Sequence, residues 1–479
     1  GLNHVFLTGS AYERGYAFGK LTQPLILREE AELYKIFNHL IPNRYLQLIF
    51  SLAAGQYFMN IDELIEPREL EEMYGISQFA GHDMDFLIDP FTKQLALHGL
   101  HEVGQMMVDS GLAMGCTLFR LPTKSGFLIG RNFDFEAGRV FDEEKILKWN
   151  FPEDGNAYVS VTWAGMLGVV TGVNSKGLWI SLNAAGTDDW RRIGVPTTLV
   201  ALRVLEKAED LDDAIQIIQS TPTFISEIFV VADQKTGRGV RIEKSPARFA
   251  MIPLEDRDVV ANHFNAEVFA SDDTNESRKK NQTSSSREER GRELIAKAAK
   301  FSKPEDMAVM LRDKKALGDQ DLPLGNRAAI DSGIATHAAI FDSAEDTLYV
   351  SSGPALAGEF IGYKIQESFQ KKRPILARKI GADKVLNISQ WEALNSDFSL
   401  FRQMDKDLTE GHCPDFEKRE TEVSVLGKAH HEYWRMQGDY FNRCLKNEAK
   451  AQEAWQLAMD LHPPYSTERE ALRLRLEVK

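Results

Sequence analysis

The chain has 479 residues, 43% hydrophobic and 27% charged, values ordinary for a globular protein with one large core plus an appendage or two to three modest domains. A formal net charge of -14 repels phosphate backbones and argues against nucleic-acid binding. No run of about 18 uninterrupted apolar residues predicts a transmembrane helix; the most apolar early stretch, Leu46 to Met59, is short and carries Gln47, Ser51 and Gln56.

Three cysteines, Cys116, Cys413 and Cys444, do not make a disulfide framework, and without CxxC spacing no structural zinc site or other metal is expected. The sequence starts at Gly1 rather than Met, which leaves a trimmed terminus and a removed leader as alternatives, the second implying export. The sequons Asn275-Glu276-Ser277 and Asn281-Gln282-Thr283 matter only in a eukaryotic secretory pathway.

Residues 1–115 are expected to be mostly helical. Leu21 to Leu40, Pro67 to Leu87 and Lys93 to Leu112 carry apolar residues at spacings of three and four. Residues 116–370 change to strands. Tyr158 to Val173 and Leu178 to Leu182 flank the turn Asn174-Ser175-Lys176-Gly177, and Glu227 to Ala232 and Gly239 to Glu243 flank a second turn. Helices are expected from Thr197 to Lys207, after Pro196, and from Ser302, where Glu305 completes a capping box. Strand groups separated by helices suggest packed sheets covered by helices. The charged stretch Asp272 to Arg292 reads as a mobile surface loop. Residues 371–479 turn helical again, and Trp434, Gly438, Phe441, Ala451, Trp455, Ala458 and Pro463 nearly follow a tetratricopeptide pattern. One such unit cannot bury its own apolar face, so it is expected to pack onto the core.

The chemistry centres on Gly115-Cys116-Thr117. An isolated Cys is usually a small buried hydrophobe, but this one falls where helices give way to strands, directly after a Gly. A thiol there can attack the preceding carbonyl, shift the acyl group from nitrogen to sulfur and let water release the upstream segment. Gly115 is expected to allow a strained, open backbone. The freed α-amino group, of unperturbed pKa about 8, then serves as base for its own thiol. A hairpin through Lys124-Ser125-Gly126 returns Gly130-Arg131-Asn132-Phe133-Asp134 beside the nucleophile. Arg131 and Phe133 share one face of that strand; Asn132 and Asp134 share the other. Asp134 can hold the α-ammonium or orient the thiol, and Arg131 can lower the thiol pKa. Asn262, in Val259-Val260-Ala261-Asn262-His263-Phe264, and Asn183, after Leu178 to Leu182, are candidate oxyanion donors. His263 beside a strand more often makes a structural hydrogen bond than acts as base.

In this order these residues resemble the acyl-CoA:6-aminopenicillanic-acid acyltransferase family of N-terminal nucleophile hydrolases. The opening Gly9-Ser10-Ala11-Tyr12-Glu13-Arg14-Gly15 with Phe18-Gly19, then Tyr74-Gly75-Ile76-Ser77, looks like that family's start. Gly115-Cys116-Thr117, Gly130 to Asp134, Gly172-Val173-Asn174-Ser175-Lys176-Gly177-Leu178, Ala261-Asn262-His263, Ser286-Arg287, Thr336-His337 and Ser352-Gly353-Pro354 follow. The resemblance covers roughly residues 5 to 365. It implies an α+β, four-layer αββα sandwich of two antiparallel sheets, with residues 371–479 as an extra helical extension. It also implies autocleavage between Gly115 and Cys116, residues 1–115 staying bound as the smaller subunit. By the same analogy Cys116 is nucleophile, Arg131 and Asp134 support it and Asn262 serves the oxyanion. Choloylglycine hydrolases share this logic, but expose their Cys near the chain start. The 115 residues ahead of Cys116 favour the acyltransferase family and its acid-ceramidase-like relatives.

The function expected is a cysteine amidohydrolase or N-acyltransferase acting through a Cys116 thioester; the alternative is a catalytically silent ligand-binding or scaffold protein of the same fold. A small-molecule amide or acyl compound is the expected substrate. No cofactor is required, acyl-CoA stands as a candidate co-substrate, and a homo-oligomer is left open. Trp163, Met166, Leu167 and Trp179 could line an acyl pocket, and Trp163 and Arg287 are the candidate substrate-binding residues.

Overall fold

The computed structural model describes residues 2–40, 43–48, 63–82, 88–99, 114–136 and 138–477. Two sheets dominate. The first has eight strands in the order β1 (Asn3–Gly9), β4 (Ile146–Pro152), β5 (Tyr158–Thr162), β6 (Thr171–Asn174), β7 (Leu178–Ala184), β8 (Glu227–Asp233), β9 (Gly239–Lys244) and β10 (Phe249–Pro253). The second has seven: β11 (Asp258–Val260), β2 (Met114–Pro122), β3 (Phe127–Phe135), β12 (Ala335–Asp342), β13 (Thr347–Ser351), β14 (Phe360–Lys364) and β15 (Leu376–Ile380). Both expected hairpins form, as β6–β7 and β8–β9. Every neighbouring pair is antiparallel except β1 with β4, which run parallel.

The period-2 alternation of the strands sorts the core into layers. Leu118, Ile129, Phe341 and Val350 of one sheet meet Trp149, Val161, Trp179 and Val230 of the other in a buried interior. Residues of opposite parity face outward under helices. Ile180, Leu182, Phe229 and Val231 lie with Leu199, Leu202, Leu205, Ala214 and Ile218 of the helices Thr197–Lys207 and Leu211–Ser220. Phe119, Leu121, Leu128 and Ile340 lie with Met307, Ala308 and Leu311 of the helix Pro304–Leu311. The result is the αββα sandwich.

Four expectations change. The N-terminal region is not wholly helical: Asn3–Gly9 adds a parallel edge strand to the first sheet, because Val5 and Leu7 alternate with polar residues into its core. The second sheet runs past residue 370, where Leu376–Ile380 pairs with β14, so the helical extension starts later than expected. Asp272 to Arg292 is no loop but two helices, Asp273–Asn281 and the start of Ser284–Lys297, held by buried Asn275, Arg287 and Arg290. Cys413 and Cys444 form a disulfide inside the extension. The expected helices reaching Leu87 and Leu112 are seen as Pro67–Ser77 and Pro90–His98; residues 83–87 and 100–113 lie outside the described residues.

The extension begins with the long helix Ile388–Thr409, whose Trp391 indole donates to the Gly333 carbonyl at 3.0 Å and so ties it to the core. The tetratricopeptide-like residues form the helix pair His431–Arg443 and Glu448–Asp460. Gly438 is needed there because a Cβ would stand 2.4 Å from the Trp455 ring. Among the described residues no helix is long and apolar enough to cross a membrane.

Close backbone packing and one buried ion pair hold the N-terminal segment together, and a second buried pair ties it to the core. Helix Ala11–Leu40 packs on helix Pro67–Ser77 so closely that a Cβ on Gly15 would lie 2.0 Å from the Glu72 carbonyl oxygen. Arg14 bonds Glu72 at 2.6 Å, and Arg203 of the core helix bonds Glu69 at 2.6 Å, all four side chains being buried. Removing one member of a buried pair leaves the other charge without a counter-ion. Glu72→Ala is therefore expected to destabilise the protein by about 3–5 kcal/mol, read from urea unfolding followed by circular dichroism.

Candidate active site

The β2–β3 hairpin sets the first distances. Its register pairs Gly115 with Asp134, Cys116 with Phe133 and Leu118 with Arg131. Cys116 and Arg131 therefore point into the space between the sheets, while Gly115, Thr117, Asn132 and Asp134 face the helical layer, Asn132 donating to the Leu311 and Ile330 carbonyls. The two charged residues expected beside the nucleophile serve it from opposite faces of one strand.

On the inner face, Cys116 Sγ lies 3.0 Å from Arg131 Nη2 and 3.8 Å from the Leu182 carbonyl. The guanidinium also donates to the Val170 carbonyl (2.6 Å), Thr171 Oγ1 (2.8 Å) and the Leu182 carbonyl (2.7 Å), all on the first sheet or its connections. It is fully buried, and among the described residues no carboxylate lies within ion-pair distance of it. Burial raises the Cys116 thiol pKa, and the adjacent Arg131 opposes that rise. The thiol thus touches a guanidinium that would pair with a thiolate.

On the other face, Arg287 Nη1 donates to the Cys116 carbonyl at 2.6 Å and to Thr117 Oγ1 at 2.8 Å. Its Nη2 donates to Asn262 Oδ1 at 2.7 Å, and the same oxygen accepts the Cys116 backbone N–H at 2.7 Å. Two converging donors fix the orientation of the Asn262 amide, since the flipped form would set NH₂ against both. Its Nδ2 donates to the Ala184 carbonyl at 2.8 Å, while Asn183 Nδ2 donates to the Val260 and Ala261 carbonyls at 3.2 and 3.0 Å. The two residues form a reciprocal clasp between the ends of β7 and β11. Both amide donors expected for an oxyanion are engaged in this clasp, and Asn262 presents its acceptor to the Cys116 nitrogen.

Gly115 shows no positive φ, so the strained backbone expected there is absent. What glycine provides is room: a Cβ would come within 3.3 Å of Arg287 Nη2 and 3.4 Å of Asp134 Oδ2. Burial raises the Asp134 carboxyl pKa to about 7, against the pull of Arg287. Gly115, Asp134 and Arg287 line a narrow cleft with Thr283, Arg327, Ser332, Ile334 and Tyr465.

Trp163 is close by, its ring 5.7 Å from that of Phe133 and its indole donating to the Phe141 carbonyl at 2.6 Å. Leu167 is buried in the same cluster with Met166 at its edge, whereas Trp179 stacks on Phe341 between the sheets and belongs to the core. His263 makes the structural contacts expected of it, to Ser284 Oγ (2.7 Å) and Glu288 Oε2 (3.1 Å). Sequence reasoning missed Tyr465 and Arg327. Tyr465 follows two prolines in the extension, where nothing local marks a site residue, and Arg327 sits in an irregular segment anchored to the Gly325 and Ser332 carbonyls.

The Asp134 shift has a signed consequence. Its carboxyl holds a proton in the folded chain up to about pH 7, while the unfolded chain loses it near the ordinary value of 3.8. Across that window the folded state binds more protons, so this group makes stability fall as pH rises. Asp134→Asn is expected to remove the fall between about pH 4 and about pH 7, measured by urea unfolding across the range.

Comparison with known proteins gives the following. A family model described as acyl-coenzyme A:6-aminopenicillanic acid acyl-transferase matches residues 121–354, a segment that starts beyond Cys116. A protein of Archaeoglobus fulgidus described as uncharacterized is 28% identical over 305 residues. That alignment takes in 54% of this chain and 50% of the relative, so the chain spans about half of its length. Among solved structures, the Caenorhabditis elegans ortholog of N-acylethanolamine-hydrolyzing acid amidase aligns over 55% of this chain and 100% of its own, with 14% identity and a TM-score of 0.36. A mutant conjugated bile acid hydrolase from Clostridium perfringens aligns over 55% and 96%, with 11% identity and a TM-score of 0.35. The family that the sequence resembles through Gly115-Cys116, Arg131, Asp134 and Asn262 is the one whose model the chain matches, acyl-coenzyme A:6-aminopenicillanic acid acyl-transferase.

Proposed function

We propose that this protein is an amidohydrolase or N-acyltransferase that activates itself by cleaving the Gly115–Cys116 peptide and then works through a thioester on Cys116. The observation that carries the reading is a three-point grip on one residue: Asn262 on the Cys116 nitrogen, Arg287 on its carbonyl and Arg131 on its sulfur. A structural cysteine needs none of these. The family match supports the same class of chemistry.

In the processing step Cys116 Sγ attacks the Gly115 carbonyl carbon. The Gly115–Cys116 C–N bond breaks, the thiol proton ends on the departing nitrogen, and a thioester joins Gly115 to Cys116. Water then cleaves it, leaving a Gly115 carboxylate, a free thiol and a free α-amine. Asn262 Oδ1 is placed to accept from that amine. Asp134, its proton exchanging near neutral pH, is the acid nearest to the cut. The segment of residues 1–115 would stay attached through β1 and the Arg203–Glu69 and Arg68–Glu206 pairs.

In turnover the α-amine takes the thiol proton, and Arg131 becomes the counter-ion of the thiolate. The thiolate attacks a substrate amide carbonyl, the amine departs carrying the proton, and the acyl group rests on sulfur. Water as acceptor gives hydrolysis; an amine gives transfer. Acyl-CoA is a candidate acyl donor for the same thioester.

Denaturing mass spectrometry of the wild type is expected to give pieces of about 13 and about 41 kDa, at roughly 110 Da per residue. Cys116→Ala should remain a single 54.0 kDa chain. A wild type that stays intact under conditions permitting processing would reject autocleavage. An electrophilic acyl probe should label Cys116. Arg131→Gln should slow labelling at neutral pH about tenfold or more, because loss of an adjacent cation raises an acid's pKa by about 1–3 units. Equal labelling of that variant would remove Arg131 from the mechanism.

A further inference from the structure

The helical extension holds a second cluster of ligating side chains. His430 precedes the helix His431–Arg443, and both its ring and that of His431 are buried, 1% and 2% exposed. The rings sit 4.8 Å apart, and one ligand atom from each of His430, His431 and Glu432 lies within 4.8 Å of the others. Glu468, from the helix Ser466–Glu477, brings Oε1 to 3.4 Å from His431 Nε2. His431 Nε2 has that one long contact and His430 meets the Gly325 backbone, but no imidazole nitrogen has a hydrogen bond of good geometry to a described residue. Buried polar atoms are rarely left so poorly partnered, and two adjacent imidazoles with nitrogens to spare can share a ligand.

We propose that His430, His431, Glu432 and Glu468 bind one divalent transition-metal ion, with zinc the best fit to two imidazoles and two carboxylates. The cysteine spacing argued against a thiolate site, and this donor set uses no cysteine. Donors about 2 Å from a tetrahedral ion stand roughly 3.3 Å apart, so His430, His431 and Glu432 close by side-chain rotation of about 1 Å, and Glu468 turns in from its contact with His431. Two carboxylates balance the charge of the ion. The guanidinium groups facing the cluster are already paired, Arg327 with Glu136 at 3.0 Å and Arg435 with Asp405 at 2.8 Å and Asp439 at 3.2 Å.

The position gives the ion a task. The extension has only small apolar clusters, around Phe398 and Tyr433 and around Ala451 and Trp455, and modules of that kind depend on cross-links. The Cys413–Cys444 disulfide is one, and the ion would be the second, joining helix His431–Arg443 to helix Ser466–Glu477. Glu468 Oε2 also accepts the Tyr465 backbone N–H at 3.2 Å. A metal on Glu468 therefore fixes the residue by which the extension reaches the cleft beside Gly115.

The full chain, stripped with a chelator, is titrated with Co²⁺ and followed by visible absorption. One equivalent with d–d bands, displaced by Zn²⁺, is expected. His431→Asn should abolish the bands and Glu468→Gln should weaken binding about tenfold or more. His412→Asn, an exposed histidine elsewhere on the extension, should bind as wild type. The Glu468 side chain is 29% exposed and Gln preserves its shape, so that variant keeps the test valid if His431→Asn fails to fold. Folded, stripped wild type that takes up neither ion, or a Glu468→Gln chain that binds Co²⁺ as tightly as wild type, overturns the proposal. The readout does not depend on Cys116 chemistry.

Discussion

A guanidinium sealed between two β-sheets is costly to bury, and Arg131 is held there by three oxygens and one sulfur. Carbonyl dipoles from Val170 and Leu182 satisfy its donors without neutralising its charge. A group that forms as an anion beside it, and a thiolate is one, gains more than it would in water. The arrangement explains why the second sheet must present Arg131 and Cys116 on the same face, and why the first must end β7 and start β6 just there. The sandwich is the means by which an uncompensated cation and a neutral thiol are kept in contact.

The opposite face of the same hairpin follows a different logic. Arg287 spends its donors on the Cys116 carbonyl, Thr117 and Asn262, so it fixes the backbone on either side of the Cys116 Cα. Its helix, Ser284–Lys297, lies in a stretch of extreme polarity. The burial of Arg287 and Arg290 against the sheet and nearby acids accounts for the order of that stretch.

Much of this was legible in the residues. The hairpin turns, the parity of Arg131 against Asp134 and the start of a strand at Cys116 follow from local pattern, and the layers follow from alternation. What was not legible depended on distant partners. The strand Asn3–Gly9 is short and reads as strand only when β4 is beside it. Asn262 and Asn183 looked like free donors because their acceptors lie 78 and 77–78 residues away along the chain. Charge content made 272–292 look like solvent-exposed loop, since sequence cannot say which arginines will be buried. Tyr465 reaches the cleft through the docking of helices whose contacts no local pattern encodes.

The Asn183–Asn262 clasp has a mechanical meaning. Each amide is bolted to the backbone of the other sheet, and one of them also carries the nitrogen of Cys116. The spacing of the sheets and the address of that nitrogen are therefore a single coordinate. A sliding of one sheet against the other by even a fraction of an ångström would be geared directly into the backbone of Cys116, so rigidity of the whole sandwich sets where that residue stands.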